Sequence, residues 1–513
     1  MLAQITSGAV SGVDAYRVHV EVDLGSGLPT FQVVGLPESA VREGRERVTA
    51  ALANNGYPLP AGRITVNLAP ADVRKEGSAF DLPIALGILV AAGEFPADAL
   101  DGTAVLGELG LDGEVRPVRG VLSLADRCAA EGMRTLVVPR ANAAEAAVVP
   151  GLRVLAAPTL EAVLAWLHGR APLAEATEGD AEPETMPPLD LADVRGQPSA
   201  RRALEVAAAG LHNILLVGPP GAGKSMLARR LPGILPPLSR AEAVEVTKVY
   251  SVAGRMRPGQ GLLRLRPFRA PHHTISDAGL VGGGPWPRAG EVSLAHHGVL
   301  FLDELPEFRR PVLEALRQPL EDGRVAIGRA RFSVTYPARF MLAAAMNPCP
   351  CGHYGAATGA CICPMGLVHR YRGRVSGPLL DRIDLHVDVP PVPEEALLDA
   401  RPSESSAVVA ARVREARARQ VARLGPFPGL FANAQLGPRE ARRLCALDSA
   451  GEAMLAGAIR RLGLSARAYH RTLRLARTIA DLEGSDAVRA VHVGEAIGYR
   501  SLDRRRQEAG LRG

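Results

Sequence analysis

The side chains best suited to chemistry stand in one run, Asn213-Ile-Leu-Leu-Val-Gly-Pro-Pro-Gly-Ala-Gly-Lys-Ser225. An apolar stretch gives way to Gly218, Pro219, Pro220, Gly221, Ala222, Gly223, Lys224 and Ser225, in the spacing Gly-x4-Gly-Lys-Ser. Glycines let backbone N–H groups turn inward around phosphate oxygens, the lysine reaches the β- and γ-phosphates, and the serine hydroxyl ligates Mg2+. The chemistry expected is ATP binding with Mg2+. The lysine is itself informative, because Lys75, Lys224 and Lys248 are the only lysines among 60 Lys and Arg residues. A compact ammonium on a thin stem fits inside a phosphate loop where a planar guanidinium does not.

Hydrolysis needs further groups, and the sequence offers them at the ends of two more apolar runs. Gly298-Val-Leu-Phe-Leu-Asp-Glu304 ends in paired carboxylates. Asp303 is expected to hold Mg2+ through water and Glu304 to polarise the attacking water. Arg339-Phe-Met-Leu-Ala-Ala-Ala-Met-Asn347 ends in an amide that either orients water beside the γ-phosphate or merely caps a strand. Arg382, within Ser376-Gly-Pro-Leu-Leu-Asp-Arg-Ile-Asp384, and Arg467, opening an arginine-rich helical run, suit two roles. One is a finger supplied to a neighbouring subunit's nucleotide; the other is a sensor closing over the bound γ-phosphate from the C-terminal helical part.

Two other clusters invite metal chemistry. Cys349-Pro-Cys351 and Cys361-Ile-Cys363 form two close pairs separated by nine residues. Four thiolates there suit a structural tetrahedral Zn2+, with an iron–sulfur centre or free thiols as alternatives and His353 as a substitute ligand. The spacing within each pair is tighter than the usual two to four residues. The pairs His272-His273 and His296-His297 complete no ligand pattern with Asp277 and Glu291, and structural or DNA-facing roles are expected for them.

These groups must be carried by parallel strands with helices between them. Residues 191–395 are expected to form that α/β core, a parallel sheet flanked by helices, and 396–513 an all-α lid. The lid's helices are read over Ser406–Leu424, Pro438–Ala446, Gly451–Leu462, Ala468–Leu482 and Val491–Tyr499. Its arginines are read as a solvated face and Arg504-Arg-Arg506 as a disordered tail. Residues 1–170 alternate strands and helices as a separate α/β domain. Residues 171–190 are acidic and proline-bearing, and are read as a linker, a mobile joint or a passive tether.

The first domain resembles the proteolytic domain of Lon-type proteases through Lys75-Glu-Gly-Ser-Ala-Phe-Asp81, Gly113-Glu-Val-Arg-Pro-Val-Arg-Gly120 and Arg134-Thr-Leu-Val-Val-Pro139. That family's Ser-Lys dyad falls on Ala79 and Leu122; Ser78 is one place off, and no lysine follows before Lys224. A retained fold without peptidase activity is expected.

The remainder resembles AAA+ ATPases of the magnesium-chelatase type, and more closely the ComM or YifB group. The likeness rests on Arg266-Pro-Phe-Arg-Ala-Pro-His-His-Thr-Ile-Ser276, Gly282-Gly-Gly, the stretch from Ala289 to Phe308, Leu316-Arg-Gln-Pro-Leu-Glu321, Asn347-Pro-Cys-Pro-Cys-Gly352 and Ser376–Asp384, and runs nearly end to end. Ala289 stands where proline is expected. The resemblance implies a homohexameric ATPase that moves branched or single-stranded DNA, promoting branch migration when incoming DNA recombines in natural transformation. Candidate DNA contacts are Arg264, Arg266 and Arg269 in Leu262–Ile275, and Arg324, Arg329 and Arg331 around a strand pair near 323–334. That pair is either a pore hairpin gripping phosphates or a solvated hairpin with charged edges that discourage sheet pairing. The alternatives are a protein-remodelling AAA+ such as a magnesium-chelatase motor subunit, from which the Lon-like domain separates it, and an ATP-dependent protease, from which the missing dyad does.

Composition agrees without deciding. The 513 residues exceed one core, 47% hydrophobic content is ordinary for a globular chain, and a formal charge of +6 permits a nucleic-acid partner without demanding one. Met1-Leu-Ala-Gln-Ile-Thr lacks a secretory n-region, and the longest apolar run, Leu82–Gly93, is too short to cross a bilayer. A cytoplasmic protein away from membranes is expected.

Overall fold

The computed structural model describes residues 2–37, 39–72, 75, 77–178, 189–284, 287–329, 332–355, 360–398, 403–462 and 465–500. Its first unit is an eight-stranded sheet. The long hairpin β1 (Leu2–Ser11) and β2 (Asp14–Gly25) pairs over its whole length. Then come β3 (Thr30–Val34), α1 (Ser39–Asn54), β4 (Arg63–Ala69), α2 (Asp81–Ala92), β5 (Thr103–Val105), α3 (Val121–Ala130), β6 (Thr135–Pro139), β7 (Arg153–Ala157) and β8 (Ala174–Glu175). The spatial order is β8-β7-β6-β5-β1-β2-β4-β3. Alternation drives the packing: Val18, Val20 and Val22 are fully buried on one face of β2, against the apolar α2. That helix is buried from Asp81 to Ala91, as a segment apolar on every side must be.

Residues 171–178 do not belong to a linker. The edge strand β8 pairs antiparallel with β7, and the Ala176 N–H donates to Val154 O at 2.9 Å. Two of the acidic residues that suggested a tether are ion-paired: Glu175 with Arg153 at 2.8 Å and Glu178 with Arg240 at 2.8 Å. Ladder bonds come from backbone groups, so a polar edge strand leaves little trace in an apolar pattern. Residues 179–188 lie outside the described residues.

The second unit begins with α4 (Pro198–Gly210) and is built on five parallel strands. These are β9 (Ile214–Val217), β10 (Phe268–Arg269), β11 (Val299–Leu302), β14 (Met341–Met346) and β15 (Leu385–Asp388), in the order β10-β11-β14-β9-β15. Between β11 and β14 stands the separate hairpin of β12 (Arg324–Arg329) and β13 (Phe332–Pro337). The short helix α5 (Lys224–Ala228) follows β9, and α6 (Arg240–Val252) opens with a full capping box between Ser239 and Glu242. Because β9, β11 and β14 run in register, Gly218, Asp303 and Asn347 all emerge at one edge of the sheet.

The C-terminal helices share a hydrophobic core with this sheet and with α4. They include α7 (Ser406–Leu424), two shorter helices over Pro438–Leu444 and Ser449–Leu462, α8 (Ala466–Glu483) and α9 (Ala490–Gly498), within a few residues of the sequence expectation. Their arginines are not simply a solvated face. Arg417 is buried and donates to Ala208 O at 2.9 Å and Ala209 O at 2.8 Å, satisfying carbonyls at the C-terminal end of α4. Arg423 and Arg477 both pair with Asp481, itself 1% exposed, at 2.6 and 3.0 Å. The tail Arg504-Arg-Arg506 lies outside the described residues.

The two units are docked directly. Helix α3 lies against α6, where Lys248 Nζ meets Asp126 at 2.6 Å and the Gly120 N–H donates to Ser251 O at 3.2 Å. Val244 and Leu262 pack on the first unit's core. Among the described residues no helix is long and apolar enough to cross a membrane.

Candidate nucleotide site

The phosphate loop leaves β9, whose four residues are buried, at a point where only glycine fits. A Cβ on Gly218 would lie 2.1 Å from Val389 O. The Lys224 ammonium is held by Gly218 O and Pro219 O, each at 2.8 Å, and by Asn347 Oδ1 at 3.0 Å. Burial draws its pKa below the usual lysine value, while Asp303 and Glu304 oppose that. The Ser225 hydroxyl donates to Asp303 Oδ2 at 2.5 Å. Loop, lysine, serine, Asp303 and Asn347 thus form one connected group.

Glu304 adopts a left-handed backbone, φ 52°, uncommon for a residue with a side chain. Its N–H donates to Asp303 Oδ1 at 2.9 Å, and its carboxylate is largely exposed. His273 Nδ1 lies 3.4 Å from Glu304 Oε2. This contact is absent from the sequence expectations, which gave His273 a structural or DNA-facing role. The only signal available was its place in Ala270-Pro-His-His-Thr274.

Arg382 and Arg467 lie at the opposite edge of the sheet. With Arg266, Arg339, Arg471 and Arg474 they line a cavity of about 580 Å3 bounded by Asn213, Gly298, Phe340 and Asp384. The four boundary residues immediately precede β9, β11, β14 and β15, so the length of a strand, roughly 13 Å for four residues, separates the cavity from the phosphate loop. Arg467 therefore does not close over the loop of its own chain, which corrects that expectation: parallel strands put the start of α8 at their beginnings and the phosphate loop at their ends. Arg382 donates to Pro378 O at 2.7 Å and pairs with Glu321. Its Nε, the Nε of Arg474 and Nδ1 of His470 are buried without a partner.

The candidate DNA contacts divide. Arg266 is withdrawn from that set: its side chain is 5% exposed and donates to Pro236 O at 2.5 Å, His297 O at 2.6 Å and Pro237 O at 3.3 Å, while pairing with Glu242. A planar five-donor fork matches such a nest of carbonyls. Arg266→Ala should destabilise the fold by about 3–5 kcal/mol, read as a lower urea midpoint, because it strands Glu242 and three carbonyls. Arg269 is held by Glu291 through two bonds of 2.6 and 2.8 Å. Arg264 is 72% exposed with Glu178 at 3.4 Å. On the hairpin, Val325 and Ile327 face the core and Arg324 faces out. Arg329 pairs with Phe332 through its backbone, its side chain falling outside the description, and Arg331 lies outside the described residues altogether.

The rings of His296 and His297 lie 4.0 Å apart, tilted at 43°, and both meet Glu245 Oε2 through Nε2, at 2.9 and 2.8 Å. A metal is excluded at His296 by the other side of its ring, where Nδ1 accepts the Arg339 N–H at 3.0 Å. A neutral imidazole accepting there carries its proton on Nε2, which then donates to Glu245 and has no lone pair for a metal. Burial chiefly, with His297 adding, lowers the His296 pKa to about 4. A histidine kept neutral when folded, but free to protonate when unfolded, contributes stability that is whole above about pH 6.5 and lost as pH falls through about 4. Denaturant midpoints should fall between about pH 7 and about pH 4.5 by the equivalent of about 3 kcal/mol, and His296→Gln should flatten that fall.

The four cysteines converge. All their sulfurs lie within 4.8 Å of one another. Cys349 Sγ is 3.3 Å from Cys351 Sγ and 3.8 Å from Cys361 Sγ, and Cys351 Sγ is 3.7 Å from Cys361 Sγ. Tetrahedral zinc with Zn–S bonds of about 2.3 Å requires sulfurs about 3.8 Å apart, so the donor set fits that ion. Backbone hydrogen bonds from His353 and Ile362 bring the Cys351 thiol down to about 6, toward the thiolate a metal needs.

A phosphate loop with paired carboxylates and a polar strand-end amide on a five-stranded parallel sheet defines a P-loop ATPase of the AAA+ kind. Comparison with known proteins specifies it. The model of magnesium chelatase subunit ChlI matches residues 190–397, a second model of that subunit matches 20–142, and its C-terminal model matches 403–500. The chain is 46% identical over 505 residues to the uncharacterized protein YifB of Escherichia coli K12, covering 98% of both. It is also 46% identical over 508 residues to competence protein ComM of Haemophilus influenzae, again covering 98% of both. A shorter likeness, 30% over 164 residues, reaches Lon protease 2 of Bacillus subtilis, covering 29% of this chain and 28% of that one. The chain belongs to the ComM/YifB family of magnesium-chelatase-like AAA+ proteins, and membership implies an ATPase.

Proposed function

We propose that this protein is an ATP-driven DNA translocase or helicase, working as a homohexameric ring and promoting branch migration of recombining DNA. The observation that carries the ring is the two-edged site. Lys224, Ser225, Asp303, Glu304 and Asn347 gather at one edge of the sheet, and Arg382 and Arg467 line a cavity at the other. Two such edges complete one another only between neighbouring copies.

In each composite site Lys224 holds the β- and γ-phosphates against the loop, and Asn347, already bonded to Lys224, orients the attacking water. Glu304, steadied by His273, accepts that water's proton. Mg2+ bound at Ser225 and Asp303 would neutralise phosphate charge. The neighbour's Arg382 and Arg467 stabilise the charge that develops as the γ-phosphoryl group departs. The DNA part of the proposal leans on likeness to a competence protein and on the outward Arg324 of the hairpin, whose side chain a nucleic-acid backbone could approach.

Measuring ATPase rate against forked, Holliday-type and linear DNA tests this. Stimulation of the ATPase by DNA, strongest on a branched form, is expected. Indifference to all DNA, with stimulation by a chelatase partner instead, would favour a protein-remodelling motor. Peptidase activity is not part of the proposal: Ala79 and the buried Leu122 supply neither nucleophile nor base. ATP-stimulated cleavage of casein would contradict that.

A further inference from the structure

The cysteine loop touches the phosphate loop on both sides of Cys349. Two residues upstream, the Asn347 side chain accepts from Lys224 Nζ at 3.0 Å. Three residues downstream, the backbone of Gly352, at φ +85°, lies close against the ring of Pro220. A Cβ on Gly352 would sit 2.3 Å from Pro220 Cδ and 2.8 Å from its Cγ, so no larger residue allows this approach. Between these points the chain is tightly tied. Cys349 is buried, its carbonyl accepts the Gly352 N–H at 3.0 Å, and its sulfur accepts the Tyr354 N–H at 3.3 Å. Arg372 donates to Pro348 O at 2.9 Å and lies 4.8 Å over the Tyr354 ring.

Among the described residues, the far half of the loop is tied through its sulfurs: the Ile362 backbone hydrogen-bonds to Cys351 Sγ, and the Cys351 backbone to Cys363 Sγ. Cys361 and Cys363 turn inward while Ile362 between them is 87% exposed. An apolar side chain is left in water so that its two neighbours can face Cys349 and Cys351. Sulfur–sulfur contacts are weak, and thiolates repel one another, so this closure calls for a cation shared by all four.

We propose that Cys349, Cys351, Cys361 and Cys363 bind one Zn2+, and that this closure presses Gly352 onto Pro220, so that metal occupancy sets the phosphate loop's affinity for nucleotide. The proposal rests on the reading of residues 218–225 as the nucleotide site. Zinc-bound protein holds Pro220 and Asn347 in place around Lys224; zinc-free protein releases both contacts at once, and the backbone N–H groups meant for phosphate lose their common orientation.

The test uses the full chain purified anaerobically. Zinc and iron are quantified, and binding of a fluorescent ATP analogue is measured before and after removal of zinc with a chelator. One zinc per chain is expected, with affinity falling at least about tenfold on removal and returning on adding zinc back. A second variant guards against simple unfolding: Gly352→Ala keeps all four thiols, and should retain stoichiometric zinc and the wild-type circular dichroism while losing affinity by a similar factor. Iron with sulfide in place of zinc, no bound metal, or unchanged affinity in either the stripped protein or Gly352→Ala overturns the proposal. Failure of zinc-loaded wild type to bind the analogue at all overturns the nucleotide reading, and the proposal falls with it.

Discussion

Lys224→Ala should bind ATP poorly and hydrolyse it at least about a hundredfold more slowly, the usual cost of deleting one preorganised donor to a developing charge. The size follows from the position of the ammonium. It is mostly buried, and it reaches two loop carbonyls and Asn347 from a single point. The fold should survive, because Lys224 makes no tie to the first domain or to the cysteine loop beyond Asn347. Filter binding of labelled ATP, beside a thermal melt, separates the two effects: lost binding with an unchanged melt is the expected pair.

Arg382→Ala should behave differently, leaving ATP affinity nearly intact and lowering hydrolysis by about a thousandfold or more, as removal of an arginine acting in trans does elsewhere. The side chain is spoken for by Pro378 and Glu321 on one flank, yet its Nε is buried and unpartnered, and the cavity beside it carries arginines in excess over Glu321, Asp322 and Asp384. A mixing experiment isolates the trans role. Arg382→Ala subunits keep an intact phosphate loop, and Lys224→Ala subunits keep an intact arginine. Neither alone should hydrolyse ATP, whereas mixed rings contain interfaces where one intact loop faces one intact arginine and should recover part of the rate. Absence of any recovery would place Arg382 outside the site.

The phosphate loop, Asp303, Glu304 and Asn347 were legible in the sequence because each position admits few residue types and each ends an apolar strand. Their convergence is what a parallel sheet in register enforces. The C-terminal helices were legible for a similar reason, their apolar residues recurring at helical spacing. Strand β1 was not: Leu2-Ala-Gln-Ile-Thr-Ser-Gly-Ala-Val-Ser11 reads as polar and glycine-bearing, yet Gly8 is needed where the strand passes α3, a Cβ there falling 2.5 Å from Leu124 Cδ2. The side of the sheet on which Arg467 lies could not be read either, since helical periodicity gives a face and not an edge. Arg266 and Arg417 illustrate a further limit. In a chain this poor in lysine, arginine serves both as a surface charge and as a buried donor to carbonyls, and only tertiary contacts tell the two apart. The contact of His273 with Glu304 joins segments about 30 residues apart that share no periodic pattern.

Branch migration itself is the most direct measure of the central claim. A labelled Holliday-type junction incubated with the full chain, ATP and Mg2+ should resolve into duplex arms. It should do so in proportion to ATP hydrolysed and not at all with Lys224→Ala. Vigorous ATP hydrolysis that leaves the junction and a forked substrate untouched would contradict the account.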